Sequence, residues 1–231
     1  MANCALSNDK TLTIAAAKYD NFTQENGRGI YWDIMSKIFS KEGYKVIFEI
    51  FPYPRSQYLL QQKKIDAVVG AYHKEFEGVI YPSKPYSLDR DQISVIYLSK
   101  SELDWQGLKS LNGAKVGWPR GYRYEKYLDV DFTPYEVSNA QQALAMLRLR
   151  RLEFYLDSDT EMNLAINESH IITKDYKKEA LLNVDIYPAF QKDDRGRKLL
   201  KIYERGIKRL KESGILKKIY ESYDVSYTIE K

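Results

Sequence analysis

Cysteine is nearly absent from this chain of 231 residues, with Cys4 standing alone. An intrachain disulfide is therefore excluded, and the redox compartment stays open. Histidine is almost as scarce, represented only by His73 and His170, which lie far apart. A metal centre needs clustered His, Cys or carboxylate donors, so no metal site is expected. A Cys–His nucleophile pair has no basis when the cysteine is near a terminus. The chain also lacks a Gly-x-Ser-x-Gly elbow, a P-loop and a Gly-x-Gly-x-x-Gly fingerprint, and no carboxylate pair stands out. The expectation is a protein that is not an enzyme and carries no cofactor. Apolar runs such as residues 14–17 are short, well below the roughly 18 residues that cross a bilayer. The start, Met-Ala-Asn-Cys-Ala-Leu, has neither the basic nor the apolar region of a signal peptide. An exported protein with this sequence is expected to be a mature form with an added Met1. Lipidation of Cys4 would be unusual behind Asn3.

What is present is ordinary in bulk and unusual in one respect. Apolar residues make up 44% and charged residues 29% of the chain, as in soluble globular proteins. The length allows one large domain or two smaller ones. A net charge of +4 is modest. Basic residues cluster only between Arg195 and Lys218, where they alternate with Leu and Ile at helical spacing. That pattern reads as a solvated helix face, so no nucleic-acid partner is expected. The unusual feature is twenty tyrosines. Tyrosine combines a rigid apolar body with a polar tip, which suits ligand pockets and half-buried surfaces.

Periodicity gives a mostly regular α/β order. Strands are expected over 11–17, 45–51 and 67–69, separated by helices over 29–39 and from 55 to 62. Gly43 supplies a stop signal for the first helix. A strand follows over 91–98, then a short helix or turn over 105–111 and a strand over 114–118. Next come a helix over 122–128, a strand over 132–137, a helix capped by Ser138 and running to Leu149, and a strand over 153–156. A helix opens at Asp159 or Thr160, and a strand returns over 184–187. Two helices close the chain, over 194–211 and 213–223. The alternation argues for mostly parallel sheets flanked by helices.

Residues 62–86 are the most specific stretch. Ile65-Asp66-Ala67 opens a buried strand, and Ser83-Lys84-Pro85-Tyr86 ends an extended segment. Further on, Ile186-Tyr187-Pro188-Ala189-Phe190 reads as a strand, and the closing helix begins Gly214-Ile215-Leu216. In this order and spacing the chain, over roughly 10–225, resembles bacterial extracellular solute-binding proteins of family 3, the type 2 periplasmic binding fold related to amino-acid-binding proteins. The resemblance implies two α/β lobes, each a mixed, mostly parallel sheet with helices, joined by two hinge crossings. These fall near 91–98 and 185–190. Lobe I would comprise 10–93 plus 189–231, and lobe II 94–188. It also implies a ligand held in an interlobe cleft, as expected where loops leave the carboxyl ends of strands.

On that basis the candidate contacts are residue by residue. After the first strand, Tyr19 or Phe22 would pack on the ligand. After the second, Tyr53 and Arg55 follow Pro52 and Pro54, and the Arg55 guanidinium can hold a carboxylate. After the third come Gly70, which permits close backbone approach, then Ala71, Tyr72 and His73. In the second lobe, Trp118, Arg120, Gly121, Tyr122 and Arg123 occupy the place where the family has Gly-Thr or Gly-Ser at a helix N-terminus, a setting that favours anions. Asp157 and Ser158 occupy the place of the family's acid for an amino group, with Asp159 next to them or acting as a helix cap. The arginine that grips a ligand carboxylate in the family is replaced by Phe76.

The expected function is capture of a small polar ligand, anionic or zwitterionic, for ABC-type transport or signalling in the periplasm or another extracytoplasmic space. The partners would be the small molecule and a membrane permease or receptor, with the protein itself a monomer. Two alternatives remain open at the level of sequence. One is the ligand-sensing input domain of a membrane receptor, although residues 227–231 begin no membrane helix. The other is an enzyme on the same scaffold, dehydratase-like, with His73 or Glu75 moving a proton.

Overall fold

The computed structural model describes residues 10–100, 105–168 and 173–227. Cys4 and His170 lie outside the described residues. The chain divides into two compact units. The first runs to Asp89 and resumes at Asp185; the second is Arg90–Val184. The chain passes between them twice, within strands β5 (Asp89–Leu98) and β9 (Tyr176–Gln191).

In the first unit, β1 (Thr11–Ala16) lies between β2 (Lys45–Ile50) and β3 (Ala67–Tyr72), all parallel. The end of β9 runs antiparallel to β3, and the two-residue β4 (Val79–Ile80) pairs with β9. Alternation in β2 and the continuous apolar run of β3 suit a strand at the margin and one buried on both faces, respectively. Helix α1 (Ile30–Ser40) buries Ile30, Ile34, Met35 and Ile38 at the spacing of one helical face. It packs against α5 (Asp194–Glu212) so closely that a Cβ added to Gly206 would stand 2.5 Å from Cγ2 of Ile38. Asp193 caps α5 by accepting the Gly196 N–H. Arg195 then pairs with Asp66 at 2.6 Å, and Asp66 also accepts the Thr13 N–H. That set ties the start of α5 to β1 and to the entry of β3. Helices α2 (Tyr53–Gln61) and α6 (Ile215–Glu221) complete the unit.

In the second unit the strand order is β5-β8-β6-β7, with β6 (Lys115–Pro119) parallel to β7 (Thr133–Val137) and β8 (Phe154–Ser158), and β5 antiparallel to β8. Helices α3 (Ala140–Arg148) and α4 (Asp159–Glu168) contribute Leu144, Leu147 and Met162 to a core with Ile96, Val137, Leu152 and Tyr155.

Three expectations are corrected. The helix expected over 122–128 is only a 3-10 turn, Tyr124–Lys126. Gly121 sits at φ 92, and the rings of Trp118, Tyr122 and Tyr124 pack on one another, which holds the backbone out of a helical repeat. The cap of α3 is Asn139, whose side chain accepts the Gln142 N–H at 2.8 Å; the Ser138 N–H instead donates to the Gln142 side chain. The returning strand begins at Tyr176, well before residue 184. Its opening residues, Tyr-Lys-Lys-Glu, carry three charges and no apolar alternation, so periodicity does not announce the strand there.

Candidate functional site

The carboxyl ends of β2, β1 and β3 lie side by side in the first unit, and the loops leaving them carry the first group of candidates. After β1 the chain folds tightly: Thr23 Oγ1 donates to the Ala17 carbonyl at 2.7 Å and accepts the Tyr19 N–H at 3.1 Å. This turn lays the Tyr19 ring over Gly70, where an added Cβ would stand 3.0 Å from Cε2 of Tyr19. Gly70 has φ 85, a left-handed conformation at an irregularity in the β3–β9 pairing between Val68 and Ala71. Tyr19 and Gly70 are thus brought together, with Ala71 buried beside them along β3. Phe22 packs on Tyr31 at 4.9 Å, and its carbonyl accepts the Tyr31 N–H at the start of α1. These contacts tie the half-buried Phe22 to the first turn of α1.

Pro52 and Pro54 start α2, and the Arg55 N–H donates to the Pro52 carbonyl at 2.8 Å. The exposed Arg55 guanidinium lies over the Phe51 ring, 5.4 Å from its centre. Tyr53, by contrast, is 4% exposed and donates its O–H to Glu75, which is 2% exposed. Glu75 also accepts the Tyr72 N–H at 2.9 Å. Burial first, and then the Glu75 charge, push the Tyr53 phenol well above its ordinary range. Tyr53, Tyr72 and Glu75 therefore form one buried knot that fixes the loop after β3. Tyr81, itself pushed up by burial, adjoins it.

His73 is built into the wall. Its ring lies 3.9 Å from that of Tyr187 and 5.1 Å from that of Tyr81, and Nε2 is 3.0 Å from the Pro82 carbonyl, to which it donates. Burial lowers its pKa, so the neutral ring is favoured. Phe76 packs edge-on against Tyr81 at 5.9 Å.

In the second unit the carboxyl ends of β6 and β8 are adjacent. Trp118 is buried between the edges of Tyr124 and Phe132. Arg120 and Arg123 are exposed; Arg123 pairs with Glu125, and the Arg120 N–H donates to the Val137 carbonyl. No α-helix follows Gly121, whose N–H donates to the Glu136 carboxylate at 3.1 Å. Glu136 was not legible as a site residue, because only the β6–β7 register places it opposite Trp118.

Asp157 is 6% exposed. It accepts the Tyr155 O–H and, at 2.8 Å, the Ser158 N–H. Burial pushes its carboxyl up to about 7; the bonds from Tyr155 and Ser158 oppose the shift, and Glu161 and Asp91 add to it. The Ser158 hydroxyl accepts the Glu161 N–H at 3.1 Å and so serves the start of α4. Asp159 is held below its usual range, burial notwithstanding, by bonds from Lys178, Ser94 and Asn163. Among the described residues no cluster of His, Cys, Asp or Glu is arranged to hold a metal, and no helix is long and apolar enough to cross a membrane.

The family model of bacterial extracellular solute-binding proteins, family 3, matches residues 13–225. Among solved structures, an ancestral arginine-binding protein bound to glutamine is similar at TM-score 0.67 and 20% identity, over 93% of this chain and 97% of that one. A substrate-binding protein of an ABC uptake transporter from Streptococcus pneumoniae, with bound histidine, is similar at TM-score 0.65 and 17% identity, over 93% and 92%. A histidine kinase sensor domain with similarity to periplasmic binding proteins gives TM-score 0.72 and 16% identity, over 95% and 98%. At these identities the likeness shows the fold. No curated protein matches the sequence.

Proposed function

The chain belongs to the bacterial extracellular solute-binding proteins of family 3, and from that premise we propose that it captures a small zwitterionic or anionic solute outside the cytoplasm for an ABC-type permease. The observation that carries this reading is the family match across both units, from residue 13 to 225. The named neighbours carry glutamine and histidine, which supports an amino-acid-like solute. The loops at the carboxyl ends of β1, β2 and β3 offer the chemistry such a solute needs. Tyr19 supplies an aromatic surface over Gly70, and Arg55 supplies a guanidinium that a carboxylate can approach from solvent. The Tyr53–Glu75–Tyr72 knot holds the neighbouring backbone in one geometry, which lowers the ordering cost of binding.

The test is calorimetric titration of the preferred solute into the wild type and Arg55→Ala. Loss of one charge-assisted contact weakens binding by about 1.5–3 kcal/mol. Equal affinities would overturn the role of Arg55. The likeness to a histidine kinase sensor domain supports a second reading, in which the same capture event feeds a receptor. Solute uptake by a reconstituted permease in the presence of this protein separates the two.

A further inference from the structure

At the amino ends of β1 and β2 the first unit has a surface concavity of about 470 Å³. Its floor includes Tyr44 and Ile202, both buried. Its walls carry Lys10, Arg197, Lys198, Lys201 and Arg205, five cations against two acids, Glu42 and Asp194. The six residues of β1 separate this groove from the Tyr19 loop, a run of about 20 Å at the rise of a strand. The two places therefore lie at opposite ends of the same strand.

The arrangement of charge is costly unless something answers it. On α5, Arg197, Lys201 and Arg205 succeed one another at four-residue spacing, and Lys198 stands three before Lys201. Like charges at these spacings face each other and destabilise a helix. Asp194 answers only Arg197, at 2.6 Å. Lys10 lies over the Tyr44 ring at 5.0 Å and donates to the Glu42 carbonyl at 2.6 Å, which fixes its ammonium at the rim. Among the described residues Lys198, Lys201 and Arg205 have no ion-pair partner.

We infer that this groove binds a multiply charged phosphate, with Arg197 and Arg205 as the forked donors and Lys10, Lys198 and Lys201 as the surrounding charge. Guanidinium forks match paired phosphate oxygens, and ammonium groups add charge without fixed direction. The surplus of three cations over the lining acids suits an anion of more than one charge. Free polyphosphate presents several phosphate charges in one molecule, and an anionic membrane presents them as adjacent headgroups of one charge each.

The test uses the full chain with two probes: inorganic tripolyphosphate, and vesicles of phosphatidylcholine and phosphatidylglycerol in equal parts. The double variant Lys198→Glu/Lys201→Glu changes exposed side chains only, and its melting temperature reports whether the fold is intact. Lys100→Glu/Lys109→Glu makes the same change in net charge in the other unit. Wild type and the second variant are expected to bind alike, and the first variant to bind more weakly by on the order of tenfold. Binding of tripolyphosphate identifies a soluble ligand; binding of vesicles alone identifies a lipid surface. Binding of neither probe, or equal loss in both variants, would overturn the inference.

Discussion

Asp157 makes stability depend on pH in a direction opposite to that of a salt-bridged acid. Its carboxyl, ordinarily near 3.8, is pushed up to about 7, chiefly by burial. Between those values the folded protein keeps a proton that the unfolded chain has released. The native state binds more protons there, so stability falls as pH rises through the window. Below about 4 both states are protonated and the full contribution is present. From pH 5 to pH 8 the loss for a shift of this size is about 2.5 kcal/mol. That is a large share of the roughly 5–15 kcal/mol by which a typical domain is stable. Asp157→Asn keeps the shape, removes the charge and leaves a group that can still bond to Tyr155 and to the Ser158 N–H. Urea unfolding of both proteins at several pH values measures the effect. The stability of the variant relative to wild type is expected to rise by about 2.5 kcal/mol between pH 5 and pH 8. Parallel pH profiles would refute the reasoning.

Three further outcomes follow from the packing and the site. Gly206→Ala forces a Cβ to within 2.5 Å of Ile38 and should cost about 1–3 kcal/mol in urea unfolding, and combining it with Ile38→Ala, which removes both nearby Cγ atoms, should cost less than the sum of the two single changes. Tyr53→Phe removes the O–H that Glu75 accepts inside the first unit, and a buried acceptor left short costs about 1–3 kcal/mol; an unchanged unfolding midpoint would contradict the knot. Gly70→Ala strains a backbone at φ 85 and presses on the Tyr19 ring, so it should weaken solute binding more than it lowers the melting temperature.

Much of the fold was legible because it rests on pattern. The stripe Ile30, Ile34, Met35, Ile38 and the alternation Val46, Phe48, Ile50 state their faces directly, and α1 and β2 formed there. The order of elements carried the family. What was hidden depends on pairing between distant residues. The strand β9 opens on Tyr, Lys, Lys and Glu, four residues with no apolar rhythm. The stretch 122–128 looked helical, yet only Tyr124–Lys126 makes a 3-10 turn, with the Tyr124 ring packed on Trp118 and Tyr122. In the site, Tyr19 and Gly70 were legible separately, but their contact follows from β1 and β3 being neighbours. Glu75 read as a residue that could move a proton on a dehydratase-like scaffold, and its burial against the phenol of Tyr53 was not legible in the sequence. The packing of the His73 ring on Tyr187 and the bond from the Glu161 N–H to the Ser158 hydroxyl likewise join residues that the sequence alone does not bring together.

The central claim is solute capture, and a thermal-shift screen of the purified protein against amino acids and small carboxylates tests it most directly. A ligand present at about 100 times its dissociation constant stabilises a fold by about 2.7 kcal/mol. The expected result is a raised melting temperature with one or a few zwitterionic or anionic compounds, and a smaller rise in Arg55→Ala. No shift with any compound, in protein shown by mass spectrometry to carry no ligand, would contradict it.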